Sequence, residues 1–106
     1  MNDKEALLNT IIDNVIDCCK VDTEAGTVIT KDGVLGKARN ENLVMTRCII
    51  VKHALNAGFA TETIARMLGR TTHAVRHLLE LGGIFERTSK AYRTAEAEAK
   101  KLNNSL

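Results

Sequence analysis

The chain has 106 residues, enough for one small domain spanning 1–106, and 44% of them are apolar. With no proline, no tryptophan and 3% aromatic residues, its core has to be aliphatic, and a collagenous, disordered or proline-punctuated β-sandwich chain is excluded. Net charge is only +2, yet residues 1–30 carry 2 basic and 6 acidic side chains (−4), residues 31–93 carry 11 and 5 (+6), and the rest balance. A basic middle behind an acidic leader suits an anionic partner for the middle. No apolar run approaches the roughly 18 residues of a membrane span. The start, Met1-Asn2-Asp3-Lys4-Glu5, lacks the basic and apolar regions of a signal peptide. Cys18, Cys19 and Cys48 cannot all pair. A cytoplasmic protein with reduced thiols is expected.

Residues 3–19 repeat apolar side chains at helical spacing, with Leu8, Ile11, Ile12, Val15, Ile16 and Cys19 on one face and Asn9, Asp13, Asn14 and Asp17 on the other. Gly26, Gly33 and Gly36 then interrupt the pattern. Thr27 to Thr30, the Lys31-Asp32-Gly33 turn and Val34-Leu35 suit a β-hairpin, although the residues leave a ribbon, a short helix or a loose loop open at 27–35. The second long helix is predicted at 41–57. Its apolar positions (Leu43, Val44, Cys48, Ile50, Val51, Ala54, Leu55) wrap over half its circumference, which predicts a central place in the bundle. Gly58 ends it. Short helices follow at 61–68 and 72–81, and after Gly82-Gly83 an amphipathic helix is predicted at 84–102. The fold class read from this pattern is all-α, a small bundle of about five helices.

Residues 61–81 carry the side-chain types that two helices crossing at a tight turn demand. Ala65 is small where the second helix passes, and Gly69, four residues on, permits a conformation that side chains resist. Val75 plugs the crossing, with Ile64, Leu68 and Leu78 lining the inner face. These six positions predict a helix-turn-helix, with an ordinary αα-hairpin as the alternative. On this reading 71–81 is the recognition helix, capped by the Thr71 hydroxyl. Val75, Leu78 and Leu79 turn inward, while Thr72, His73, Arg76, His77 and Glu80 form the outward stripe. Side chains near the start of such a helix reach base edges and later ones meet backbone. Thr72 and His73 can hydrogen-bond bases, and Arg70 and Arg76 suit phosphates or a guanine.

No catalytic constellation is visible, and no cofactor site is expected. His73 and His77 lie four apart, but no third metal ligand accompanies them and the cysteines lack zinc-knuckle spacing. His53 reads as a helix-surface residue, and Glu96 and Glu98 read as parts of a solvated helix. There is no nucleophile–base pair or phosphate-binding glycine loop. The protein is not expected to be an enzyme.

Taken with what precedes it, the motif resembles the C-terminal DNA-binding domain of the bacterial chromosomal replication initiator DnaA, a Trp-repressor-like helix-turn-helix. The likeness rests on an amphipathic helix at Ile11 to Val21, the basic stretch Leu35-Gly36-Lys37-Ala38-Arg39, Thr46-Arg47 in the long helix, and Ile64-Ala65-Arg66 with Gly69. It covers roughly residues 8–81. The resemblance implies that Arg39 enters a minor groove, that Arg47 sits at the DNA backbone, and that Thr71, Thr72 and His73 read the major groove. Arginine in a narrow A·T-rich groove is physically reasonable. The recognition element departs from the family's: one glycine is missing and the base-reading side chains differ, so the initiator's own site is not implied. Glu41 stands where the family tends to be basic, and no ATPase module is expected in a chain this short.

The expected partner is therefore double-stranded DNA, bound with sequence preference in replication or transcription control. Lys37, Arg47, Arg66, Arg70 and Arg76 would meet phosphates. Counting Arg39, six contacts would cost about three decades of affinity between about 50 and 200 mM salt. A reading of another class is a protein-interaction module that keeps the scaffold without reading DNA. It would use the acidic N-terminal helix or the C-terminal helix for a protein partner. A homodimer through residues 85–102 is a third arrangement.

Overall fold

A computed structural model describes residues 2–19 and 29–106. These form six helices: α1 (Asp3–Cys19), α2 (Lys31–Leu35), α3 (Glu41–Asn56), α4 (Thr61–Leu68), α5 (Thr72–Thr88) and α6 (Lys90–Asn103). The protein is an all-α bundle, and among the described residues no strand occurs. Four helices start where a short polar side chain accepts from a free backbone N–H. Asn2 Oδ1 accepts from Glu5 N, Thr30 Oγ1 from Gly33 N, Thr71 Oγ1 from Ala74 N, and Ser89 Oγ from Tyr92 N, all at 2.8–3.1 Å.

Helix α3 is the centre, touching each of the other five helices. Leu43, Cys48, Ile49, Ile50, Val51 and Ala54 are all buried along it. They merge with Leu8, Ile12, Val15 and Ile16 of α1, Ile64 and Leu68 of α4, and Val75 and Leu78 of α5 into one aliphatic core. Such a core is stabilised chiefly by apolar area removed from water, about 1.5–3 kcal/mol for each large side chain.

Two expectations about elements are corrected. The hairpin is replaced over its described part by α2, because the Thr30 hydroxyl caps a helical turn and Val34 packs inward fully buried. Residues 27 and 28 lie outside the described residues. The second correction concerns Gly82-Gly83, which do not end a helix. The break comes at Ser89, whose extended backbone (φ −124°, ψ 115°) closes α5 and opens α6. Two glycines inside a helix cost about 1 kcal/mol each relative to alanine. At Gly82 there is a reason: a Cβ there would lie 3.0 Å from the Tyr92 hydroxyl and 3.4 Å from Cys48 Cβ. The Tyr92 ring, buried and stacked on Phe85 with centroids 5.9 Å apart, fills that place. At Gly83 a Cβ would meet nothing within 4 Å. Gly83→Ala is therefore expected to raise stability by about 1 kcal/mol, whereas Gly82→Ala lowers it despite the same gain in helix propensity. Thermal melts of the two variants check the opposite signs.

His53 is a further correction: it is 7% exposed, not a surface residue. Helix α6 covers it. Its Nε2 donates to Glu96 Oε1 at 3.2 Å, its Nδ1 accepts from Asn103 Nδ2 at 2.8 Å, and Asn14 Nδ2 donates to Asn103 Oδ1 at 3.1 Å. Glu96 is thus half-buried rather than solvated, and it also pairs with Lys52 at 3.0 Å. Burial alone would raise the Glu96 pKa, but hydrogen bonds from Lys52 and His53 and the charge of Lys52 outweigh it and hold the carboxyl below its ordinary value. The unfolded chain therefore binds the proton more readily, so this contribution is present above the ordinary carboxylate pKa and lost as pH falls through the folded value. Glu96→Gln is expected to cost about 1–2 kcal/mol near neutral pH. In urea melts across acid pH, the gap to the native chain should close as pH falls.

Candidate nucleic-acid interface

The chain between α4 and α5 is three residues long, Gly69-Arg70-Thr71. Gly69 is left-handed (φ 65°, ψ 36°). Its N–H donates to Arg66 O at 3.2 Å, and the next N–H, of Arg70, to Ala65 O at 2.8 Å. This paired closure of a helix end is the one that glycine permits most cheaply. Thr71 then caps α5. Ile64, Ala65, Leu68 and Val75 are at most 4% exposed, and Leu78 is buried beside them. The residues expected to shape a helix-turn-helix thus occupy the positions that shape requires.

Along α5, His73, Arg76, His77 and Glu80 are exposed and Thr72 is half-buried. Leu79 is a correction: it was expected inward, but it is 43% exposed. Val75, Leu78 and Gly82 define the buried line of α5, and Leu79 falls to its side, next to the open position at Gly83. The Thr71 hydroxyl accepts from Ala74 N in capping and keeps its own O–H to donate, so exposed Thr71 stands with Thr72 and His73 at the start of α5. Among the described residues His73, Arg76 and His77 make no side-chain hydrogen bond or ion pair.

The basic stretch after α2 is fastened to this motif. Arg70, in the turn, reaches back: Nη2 donates to Gly36 O at 2.5 Å, and Nη1 to Leu68 O at 2.8 Å and Leu35 O at 3.4 Å. Lys37 and Arg39, next along the chain, are exposed and have no carboxylate partner among the described residues. Burial, then the nearby charge of Arg39, lower the Arg70 pKa from its ordinary value. Lys37, Arg39 and Arg70 therefore gather beside the entry to α5.

One expected phosphate ligand does not join them. Arg47 is 3% exposed, and its guanidinium faces inward. Its Nε donates to Val34 O at 2.8 Å, and its Nη2 to Gly33 O and Gly36 O, both at 3.1 Å. These carbonyls lie at the end of α2, where a five-residue helix leaves acceptors short of donors; Gly33 O also accepts from Gly36 N at 3.2 Å, whereas Val34 O depends on Arg47. Burial, followed by the charges of Arg70 and Arg39, lowers its pKa, and it stays a cation. A backbone contact by Arg47 to DNA is therefore corrected to a structural role. The register already pointed inward, because Leu43, Arg47, Ile50 and Ala54 share one face at spacings of four, three and four. Arg66 is exposed and pairs across to α1, with Nη1 2.6 Å from Glu5 Oε1; so weak a surface pair leaves it able to meet a phosphate.

Scans against protein-family models, curated proteins and solved structures return no match for this chain. Among the described residues no three His, Cys, Asp or Glu side chains group as metal ligands, and no helix is long and apolar enough to cross a membrane. What the arrangement offers is a helix end rich in hydrogen-bonding side chains, flanked by cations on a separate loop. Such a surface can take up an anionic polymer: the cations hold the phosphates, and the helix end meets the groups between them.

Proposed function

We propose that this chain is a sequence-preferring double-stranded DNA-binding protein, similar in plan to the replication initiator's DNA-binding domain, which acts in replication or transcription control by occupying sites and has no catalytic chemistry of its own. The observation that carries the reading is the Arg70–Gly36 contact, which fastens the Lys37–Arg39 loop to the turn from which α5 starts. On this reading Thr71, Thr72 and His73 read the major groove from the start of α5, with Arg76 and His77 one turn further along. Lys37, Arg39 and Arg70 take up flanking phosphates and the adjacent minor groove. The uneven charge of the chain supports it as well, because the basic excess lies in the segment that builds this surface.

With Arg47 buried, five cations are left for phosphates: Lys37, Arg39, Arg66, Arg70 and Arg76. Affinity for a duplex should fall on the order of 500-fold between about 50 and 200 mM salt, which is less than six contacts would give. Fluorescence anisotropy of a labelled duplex checks this. A binding curve that does not move with salt would contradict the reading.

A second reading has its own support. Leu79 and Ile84 are exposed on α5, and α1, α3 and α6 enclose a groove of about 420 Å³ whose rim includes Leu7 and Leu106. Both features suit a protein partner or a second copy, and a chain that binds no duplex at either salt would favour them.

A further inference from the structure

We infer that Arg47 is a positioning residue for duplex binding, which sets the strength of the Arg39 contact from inside the protein by holding the loop that carries it. The inference rests on the DNA-binding reading and adds to it a residue that touches no DNA. Three observations carry it. First, Gly36 O accepts from two guanidinium groups, Arg47 Nη2 at 3.1 Å and Arg70 Nη2 at 2.5 Å, one reaching from the central helix and one from the helix-turn-helix turn. The loop is thereby clamped at one carbonyl between the core and the motif. Second, Arg47 also binds Val34 O and Gly33 O, so the helix that delivers the loop is fixed at the same point. Third, no carboxylate among the described residues pairs with Arg39, Arg47 or Arg70, although Arg39 lies close enough for its charge to act on the other two. Backbone carbonyls, not counter-ions, keep the cluster together, and its outer member, Arg39, is left exposed for an anion.

The physical effect is preorganisation. A loop already ordered in the free protein does not have to lose that freedom on binding, so more of each contact appears as affinity. If Arg47 releases Gly36, the loop moves and Arg39 loses its advantage, even though its own side chain is intact. The forked geometry matters as much as the charge, because a lysine cannot place parallel N–H groups on three carbonyls.

The test is a double-mutant cycle on duplex affinity with Arg47→Lys and Arg39→Ala, together with amide hydrogen exchange of residues 36–40. In the native background Arg39→Ala is expected to weaken binding about tenfold. In the Arg47→Lys background the same change should weaken it less than about threefold, and amides 36–40 should exchange faster while those of α4 and α5 do not. A merely structural effect of Arg47 lowers the folded fraction equally with or without Arg39, so it leaves the cycle additive. Should Arg47→Lys not fold, Arg70→Lys, which removes the other forked donor to Gly36, is put through the same cycle. An additive cycle with unchanged exchange overturns the inference and leaves DNA binding standing. A native chain that binds no duplex overturns both.

Discussion

Arg47→Ala is expected to lower stability by about 3 kcal/mol, and with it the melting temperature by about 12 °C or more for a domain of this size. The cause is the set of carbonyls left behind. Val34 O loses its donor, Gly33 O keeps only the Gly36 N–H, Gly36 O keeps only Arg70, and α2 loses its polar attachment to α3. A hydrogen bond to a charged group contributes about 1.5–3 kcal/mol, and a buried acceptor without a partner bears its desolvation cost in full. Arg76→Ala is the natural control. It removes an exposed side chain with no partner and should change stability by no more than about 0.5 kcal/mol. Chemical denaturation of the two variants separates a buried cation from an exposed one. Equal, small effects would show that the α2 carbonyls do not depend on Arg47.

The second large effect concerns binding. His73→Ala combined with Arg76→Ala should weaken binding to a preferred duplex about a hundredfold, since His73 loses a base contact worth about 1–3 kcal/mol and Arg76 a contact to phosphate or guanine. Binding to unrelated duplex should fall only a few-fold, because Lys37, Arg39 and Arg70 keep most of the phosphate attraction. Competition between the two duplexes gives the ratio directly. The folded state should be unaffected, because both side chains are exposed and unpartnered. An equal loss on both duplexes would mean that this face of α5 holds phosphates and reads no bases.

Much of the fold follows from local signals. The helix-turn-helix was legible because its constraints are short-range: Ala65, Gly69 and Val75 answer to the geometry of one turn, and Thr71 to one unpaired N–H. The central place of α3 was legible from the width of its apolar arc. What local pattern misled on was the punctuation of the C-terminal half. Gly82-Gly83 resembles a break, but the glycine at 82 answers to the Tyr92 ring approaching from a helix ten residues away. Likewise His53 looks like an exposed residue until α6 lays Glu96 and Asn103 over it. Both are tertiary demands, and neither is visible in neighbouring residues.

The candidate site divides in the same way. His73, Arg76 and His77 were legible as an outward stripe because helical periodicity alone puts them there. Arg47 was nominated through a family resemblance, although its register with Leu43, Ile50 and Ala54 pointed into the core. Its true partners are backbone carbonyls, and carbonyls carry no signature in a sequence. The Gly36 clamp could not have been read from the chain for the same reason: it depends on α2 being a helix short enough to need outside donors.

The most direct measurement of the DNA-binding account is selection by the purified protein from a random duplex library, repeated at low and moderate salt. The account predicts a recovered motif, with an A·T-rich flank on the side of Arg39, enriched at both salts and held more weakly at the higher one. Recovery of no motif at either salt would contradict it and turn attention to the exposed apolar residues of α5 and the groove beside α6.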